Sequence, residues 1–304
     1  MIVLTDDVTY SLKYFPVEEG LVFNYGAPLT SKFENEFFNV KQVLSYHCDN
    51  KFWKYGFVTE YSEKSQFDIL TNLSSGISKL PDKIFCLAGY GKKFHGFRNR
   101  HWVSELGNIH LSCYFKPYFQ SSETGLGFTM LAAVSVIETL DLIEGLEGKS
   151  QIKWVNDIIV NDAKICGVIA QTQIQGKHVT DAVIGIGLNV GVVPDIYTTS
   201  FVPQATSINA NSKKTQDIKT ITNILLEKIA LNYDILAHKG YKPILEKYRQ
   251  RSMITGKHVK VWSDPVDEEP VLIHEGRVES IGDYLELYLE NQKMPVTSGR
   301  IVHE

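Results

Sequence analysis

The sequence predicts a mixed α/β domain followed by a small all-β domain. Its 304 residues and 43% hydrophobic content are enough for one large core and a second, smaller one. Strand-like and helix-like patterns alternate along most of the chain without an internal repeat, and the pattern changes to short alternating strands after residue 257. We therefore predict an extension over 1–50, a main domain over 51–252 and a small β-barrel domain over 253–304.

Hydrophobic periodicity and turn residues define the elements in chain order. The predicted strands of the main domain cover 55–60, 83–89, 109–115, 152–154, 158–160, 165–173 and 182–190. The predicted helices cover 65–73, 124–143, 217–238 and a short segment ending near 249. The second helix is apolar enough to cover one face of a sheet. The last four strands follow one another closely, which predicts an antiparallel meander, and residues 191–214 have the composition of a loop.

The small domain alternates apolar and polar residues at strand spacing. Val259 with Val261, Val271 with Ile273, and Leu285 with Leu287 and Leu289 predict three strands, and Gly282-Asp283 supplies a hairpin turn.

Composition excludes several classes of function. The 31 basic and 35 acidic residues give a net charge of −4, so no global positive field attracts nucleic acid or an anionic membrane. Asp6 and Asp7 argue against a signal peptide, and the longest uncharged apolar stretch, 124–137, is too short to cross a bilayer. The four cysteines form no CxxC pair. We expect a cytoplasmic protein with reduced, buried thiols.

Three apparent motifs fail their own requirements. Gly148-Lys149-Ser150 lacks the first glycine of a P-loop, because Ile143 stands there. No helix follows Gly185-Ile186-Gly187, so close strand packing explains these glycines better than dinucleotide binding does. The nine histidines form no HExxH motif and no cluster with cysteine, which disfavours a structural zinc site.

A basic loop after the strand at 83–89 is the first segment that indicates chemistry. It contains Gly91 and Gly96, the cations Lys92, Lys93, Arg98 and Arg100, and a closing Trp102. Glycine permits close approach of a ligand to the backbone, and guanidinium groups match phosphate or carboxylate oxygens. The loop can therefore bind an anion beside an aromatic wall, although a solvated basic turn with a core tryptophan has the same composition.

The second segment is Lys153-Trp154-Val155-Asn156-Asp157, at the end of a predicted strand. A lysine flanked by apolar residues requires an anionic partner when it is buried. Asp157 can be that partner in a structural ion pair. Alternatively, Lys153 neutralises a substrate carboxylate that attacks a phosphate, where the attraction at ~4 Å approaches about 4 kcal/mol.

Together these segments resemble the biotin protein ligases, or holocarboxylase synthetases. That family has a Gly-Arg-Gly-Arg-x-x-x-x-Trp loop, a Lys-Trp-Pro-Asn-Asp motif and an Ile-Gly-x-Gly-x-Asn segment, which corresponds here to 184–189. The resemblance extends from Glu60 to Glu304. It implies an α+β fold with a class II aminoacyl-tRNA synthetase-like catalytic core, a mixed sheet backed by helices, and a small C-terminal src-homology-like β-barrel.

The resemblance also assigns residues, position by position. It makes Lys153 the catalytic residue, which also contacts biotin. The remaining biotin-binding positions are Lys64, Ser65, Gln66, Gly91, His95, Gly96 and Phe97. The positions for ATP or the adenylate are Arg98, Arg100, Trp102, Asn156, Asp157 and Asn189. His95 and Phe97 stand where the family has its two loop arginines, so we predict that the adenylate escapes more readily than from a typical member.

The reaction that this resemblance implies joins biotin to ATP, releases pyrophosphate and transfers biotin to a lysine of a biotin carboxyl carrier domain of a carboxylase. Magnesium would accompany ATP. No winged helix precedes the core in this sequence, so we expect no DNA partner, and nothing indicates a membrane partner. Three alternatives remain: a lipoate or octanoate ligase or transferase of the same fold, a catalytically impaired biotin-binding homologue, and an unrelated nucleotide-binding domain.

Overall fold

A mixed eleven-stranded sheet forms the centre of the computed structural model, which describes residues 1–16, 24–25, 36–38, 43–75, 80–120, 126–265 and 269–303. Its strands are β1 (Ile2–Thr5), β2 (Asn24–Tyr25), β3 (Leu44–His47), β4 (Tyr55–Ser62), β5 (Ile84–Gly91), β6 (Ile109–Phe115), β7 (Phe119–Gln120), β8 (Gln151–Lys153), β9 (Asp157–Val160), β10 (Ala163–Gln175) and β11 (His178–Leu188). Their order is β2-β3-β1-β4-β5-β6-β11-β10-β9-β8, with β7 paired to β11. The β1–β4 and β4–β5 pairs are parallel, and the other pairs are antiparallel.

Helices cover both faces of this sheet. They are α1 (Val8–Leu12), α2 (Gln66–Ser74), α3 (Gly127–Leu140), α4 (Ile208–Asn211), α5 (Ile218–Lys239) and α6 (Lys242–Gln250). Successive side chains of β5 point to opposite faces: Phe85 and Leu87 join the core on the α3 side, whereas Ile84 and Cys86 join the core beneath α2. Helix α3 is buried almost all round because it lies between the sheet and helices α5 and α6.

The small C-terminal domain is an antiparallel sheet of β12 (His258–Trp262), β13 (Leu272–Ile281), β14 (Leu287–Leu289) and β15 (Arg300–His303), in the order β14-β13-β12-β15. Several hydrogen bonds connect it to the core; in two of them Trp154 Nε1 donates to the Leu285 carbonyl at 2.6 Å and Arg249 Nε donates to the Ile281 carbonyl at 2.8 Å. A closed barrel stays a prediction.

The predicted antiparallel meander is confirmed, since β8 to β11 pair with one another in that sense. Two predictions need correction. The loop over 191–214 contains the short helix α4, capped by Ser207, and the strand β15 was not predicted. The described part of residues 1–50 adds β1, β2 and β3 to the main sheet. Residues 124 and 125 of the predicted helix lie outside the described residues.

The thiols are free, and Cys86, Cys113 and Cys166 are buried as expected, while Cys48 is half-buried. Among the described helices, none combines the length and apolar character that a bilayer span requires.

Candidate functional site

The basic loop after β5 is a short hairpin. Gly96 N donates to the Arg100 carbonyl at 2.7 Å, and Trp102 N donates to the Phe94 carbonyl at 3.0 Å. At the tip, Arg98 and Asn99 both have φ of 57°, the left-handed conformation that turns the chain back. Phe94 anchors the base by stacking on His110, with 5.6 Å between ring centroids. The loop therefore holds Trp102 and the two arginines in defined positions.

Trp102 lies on a floor of glycines contributed by β10 and β11. A Cβ atom at Gly187 would lie 2.4 Å from the Trp102 ring, and one at Gly167 would lie 3.2 Å from it. Only glycine at position 187 leaves room for the indole. Trp102 Nε1 lies 3.3 Å from His110 Nδ1, and burial lowers the pKa of His110 to about 4, so this histidine is a neutral acceptor near pH 7.

The main cleft lies between this hairpin, the N-terminus of α2 and the glycine floor. Eight of the residues predicted from the sequence line it: Ser65, His95, Gly96, Phe97, Arg100, Trp102, Asn156 and Asp157. Ser65 caps α2 through a hydrogen bond from Asp68 N, at 3.5 Å. Its hydroxyl is thereby fixed at the wall of the cleft.

His95 takes part in an ion pair that ties the hairpin to α2. Its Nε2 lies 2.8 Å from Asp68 Oδ1, and its Nδ1 lies 3.0 Å from the Gly96 carbonyl. Burial lowers the pKa of His95, but the Gly96 carbonyl and the Asp68 carboxylate outweigh it, so the pKa lies above its ordinary value. His95 is therefore more readily protonated than a free histidine.

A second cavity lies on the other side of Trp102. Its apolar walls are Trp102, Val103, Pro194, Ile196, Tyr197, Val202 and Ala205. Asn189 also lines it, donating from Nδ2 to the Thr206 carbonyl at 2.9 Å. The Oδ1 atom of Asn189 is buried and accepts no hydrogen bond from the described residues. The cavity thus combines apolar walls with the amide of Asn189, and Arg100 and Lys164 also line it.

A third cleft, the interdomain cleft, separates the core from the small domain. Lys153, Arg98 and Arg100 line it, together with Asp264 and Arg300 of the small domain. Burial lowers the pKa of Lys153; Asp157 opposes this shift, while the neighbouring cations add to it. The Lys153 ammonium lies 3.5 Å from the Phe201 carbonyl.

The lysine that lines the main cleft is Lys164, which the sequence reasoning missed. Its Nζ lies 2.7 Å from Asp157 Oδ1 and 5.4 Å from the centroid of the Trp102 ring. Lys164 borders both the main cleft and the second cavity, whereas Lys153 borders neither. The antiparallel meander carried the missed signal, because pairing β9 with β10 brings a lysine at the start of β10 near Asp157.

Three further predicted residues, Lys64, Gln66 and Gly91, do not line any of the three cavities. Lys64 makes an exposed ion pair with Glu36 at 3.0 Å, and Gln66 is buried. Gly91 leaves room for Phe94, because a Cβ atom there would lie 2.4 Å from that ring. Asn156 Nδ2 donates to the Val168 carbonyl at 2.7 Å, which fixes the turn before β9 against β10.

No group of three or more His, Cys, Asp or Glu side chains in the described part of the chain could hold a metal ion. The two carboxylates that line the interdomain cleft among the described residues, Asp157 and Asp264, are both paired with cations. Any magnesium would therefore take most of its ligands from phosphate oxygens and water, which is its usual behaviour.

Comparison with known proteins identifies a family that part of the core matches. Residues 62–189 match the model of the biotin/lipoate A/B protein ligase family. Over 151 residues the chain is 32% identical to the bifunctional ligase/repressor BirA of Bacillus spizizenii, covering 49% of this chain and 45% of that protein. The chain thus spans less than half the length of this relative. It is 25% identical over 190 residues to the biotin–[acetyl-CoA-carboxylase] ligase of Paracoccus denitrificans, covering 62% and 73% of the two chains.

Solved structures show the same fold. The biotin protein ligase from Aquifex aeolicus in complex with biotin and ATP superposes with a TM-score of 0.61 at 19% identity, covering 83% of this chain and 99% of that one.

Proposed function

We propose that this chain, whose residues 62–189 form a domain of the biotin/lipoate A/B protein ligase family, is a biotin protein ligase. It joins biotin to ATP, releases pyrophosphate and transfers the biotinyl group to a lysine of a biotin carboxyl carrier domain. The names of relatives from Paracoccus and Aquifex support biotin as the acid.

The observation that carries the proposal is the meeting of three cavities at Arg100, which lines all of them. A reaction between a carboxylate and a nucleotide needs one cavity for each substrate and a cation where the two anions meet. The main cleft suits biotin, with the Ser65 hydroxyl for its ureido group and His95, Gly96 and Phe97 along the hairpin. Lys64, Gln66 and Gly91 support this wall.

The second cavity suits adenine. A flat ring fits between Trp102 and the apolar loop residues, beside the amide of Asn189. The interdomain cleft, with Arg98 and Arg100, suits the phosphates that leave as pyrophosphate. Asn156 and Asp157 line both the main cleft and the interdomain cleft, and Asp157 pairs with Lys164 at 2.7 Å.

Lys164 takes the role at the reacting centre, because it borders both substrate cavities. In the first step, a biotin carboxylate oxygen attacks the α-phosphorus, and the bond to the bridging β-phosphate oxygen breaks. The Lys164 ammonium reduces the repulsion between the carboxylate and the α-phosphate, with Arg100 beside it. We assign Lys153 to the phosphate side of the site. In the second step, the neutral amine of the acceptor lysine attacks the acyl carbon and AMP leaves, so the transfer rate rises with pH.

The test is exchange of labelled pyrophosphate into ATP, which needs only the first step. We expect exchange that depends on biotin and on magnesium, followed by a streptavidin-reactive carrier domain when that domain is added. Exchange that depends on lipoate or octanoate instead of biotin would assign that acid as the substrate. Absence of exchange with all three acids would refute the ligase assignment and favour an impaired homologue.

A further inference from the structure

Asp264 of the small domain lies where three arginines converge in the interdomain cleft. It lies two residues after the end of β12, and its side chain is only 9% exposed. Arg100 Nη2 donates to Asp264 Oδ1 at 2.6 Å, and the Arg98 and Arg300 Nε atoms lie 3.6 Å and 3.8 Å from its carboxylate. Two of these arginines come from the hairpin of the core and one from β15.

This cluster has more positive than negative charge. Among the described residues, four cations line the cleft, namely Lys153, Arg98, Arg100 and Arg300. The carboxylates that line it in the same part of the chain are Asp264 and Asp157, and Asp157 already binds Lys164 at 2.7 Å. Burial and the nearby Arg100 lower the pKa of Arg300, and Asp264 only partly opposes them. The Asp264 carboxylate therefore balances only part of the positive charge in the cleft.

A purely structural bond between the domains would not require this arrangement. The hydrogen bonds from Trp154 to Leu285 and from Arg249 to Ile281 already connect the two domains. Arg300 is also held without Asp264, because its guanidinium lies 4.2 Å above the ring of Phe201. Arg300 thus keeps this contact when Asp264 withdraws, and the three arginines can then bind an anion with several charged oxygens.

We propose that Asp264 is an internal substitute for phosphate. It occupies the anion site of Arg98, Arg100 and Arg300 while no polyphosphate is bound, and it withdraws when the terminal phosphates of ATP, or pyrophosphate, take these arginines. Its negative charge repels the arriving phosphates, so Asp264 weakens their binding and speeds the release of pyrophosphate. The identity of the polyphosphate rests on the proposed function, whereas the competition of two anions for one site does not.

The test is calorimetric titration of inorganic pyrophosphate into the full chain without biotin. We expect Asp264→Asn to bind pyrophosphate about tenfold more tightly than wild type, equivalent to roughly 1.4 kcal/mol. Asp264→Glu keeps the charge and should stay near the wild-type affinity. Asp283→Asn removes a carboxylate of the same domain that pairs with Arg249 at 3.0 Å, outside this cleft, and should change nothing.

Arg300→Gln in the Asp264→Asn background should abolish the gain, since it removes one of the three arginines. Wild-type affinity or weaker binding in Asp264→Asn overturns the inference. If Asp264→Asn does not fold, as judged by its thermal transition, Asp264→Ser removes the same charge from a smaller side chain, and the same tenfold gain is expected of it. If pyrophosphate affinity rises as expected but no acid supports exchange, the proposed function fails and the anion site stands. If an acid supports exchange but Asp264→Asn binds pyrophosphate no more tightly than wild type, the proposed function stands and the inference about Asp264 fails.

Discussion

Replacing Lys164 by methionine tests which lysine acts at the reacting centre. The change keeps the length of the side chain and removes the charge at the border between the main cleft and the second cavity. Two unit charges at ~4 Å attract by about 4 kcal/mol at an effective dielectric constant near 20. Asp157 at 2.7 Å offsets part of the lysine charge, and we take roughly half of the attraction, about 2 kcal/mol, as available to the substrates.

We therefore expect Lys164→Met to lower kcat/KM for biotin in the exchange assay by about thirtyfold. Lys153→Met should lower it by less, because the Lys153 ammonium faces the interdomain cleft. Lys164→Met also leaves Asp157 unpaired, so the double variant Lys164→Met/Asp157→Asn controls for that charge, and thermal unfolding controls for stability. A larger loss in Lys153→Met than in Lys164→Met would refute the reasoning.

Three further predictions concern the hairpin. Gly187→Ala should displace Trp102, since the new Cβ atom would lie 2.4 Å from its ring, and should raise KM for ATP by about tenfold. Gly276→Ala, whose new Cβ atom would lie 3.5 Å from its nearest neighbour, is the control for an added methyl group. The His95–Asp68 pair raises the pKa of His95, so its contribution to stability is complete below the ordinary histidine pKa of about 6.5 and is lost as pH rises through the folded-state value. The contribution of this pair to the melting temperature should therefore decrease as pH rises through this range in wild type and should be absent in His95→Gln. The same pH dependence in both proteins would exclude the pair as its source. Phe97→Arg should slow escape of the adenylate, measured as adenylate in solution per carrier domain modified, and faster escape would contradict the role given to Phe97.

The sequence predicted the elements whose pattern is local. Strand β6 was predicted over 109–115, where the structure has it, because a glycine-containing turn precedes an uninterrupted strand pattern. Strands β1 and β15 were missed for the same physical reason. Each has only four residues, and their partners β4 and β12 lie about 40 to 50 residues away in the chain, so no short-range pattern marks them.

Prediction of the site residues has the same limit, because it too depends on short-range patterns. Residues of the hairpin and of the Lys153–Asp157 segment were found because their types occur together in short stretches. Asp264 was missed because its contacts with Arg98 and Arg100 join positions more than 160 residues apart, in two domains. Lys164 was overlooked because sequence shows which residues are charged but not which side of a strand end faces a cavity, and the catalytic role of Lys153 stays a prediction.

The position of Trp102 has a consequence for inhibitor design. Its indole is a thin wall shared by two compartments, and it rests on a glycine that cannot be exchanged without moving it. A compound that fills both compartments needs a linker that passes the edge of the indole beside Arg100. A negatively charged or strongly polar linker is favoured there over an apolar one. Two fragments optimised separately would share this wall, so a shift of the indole to suit one would alter the fit of the other.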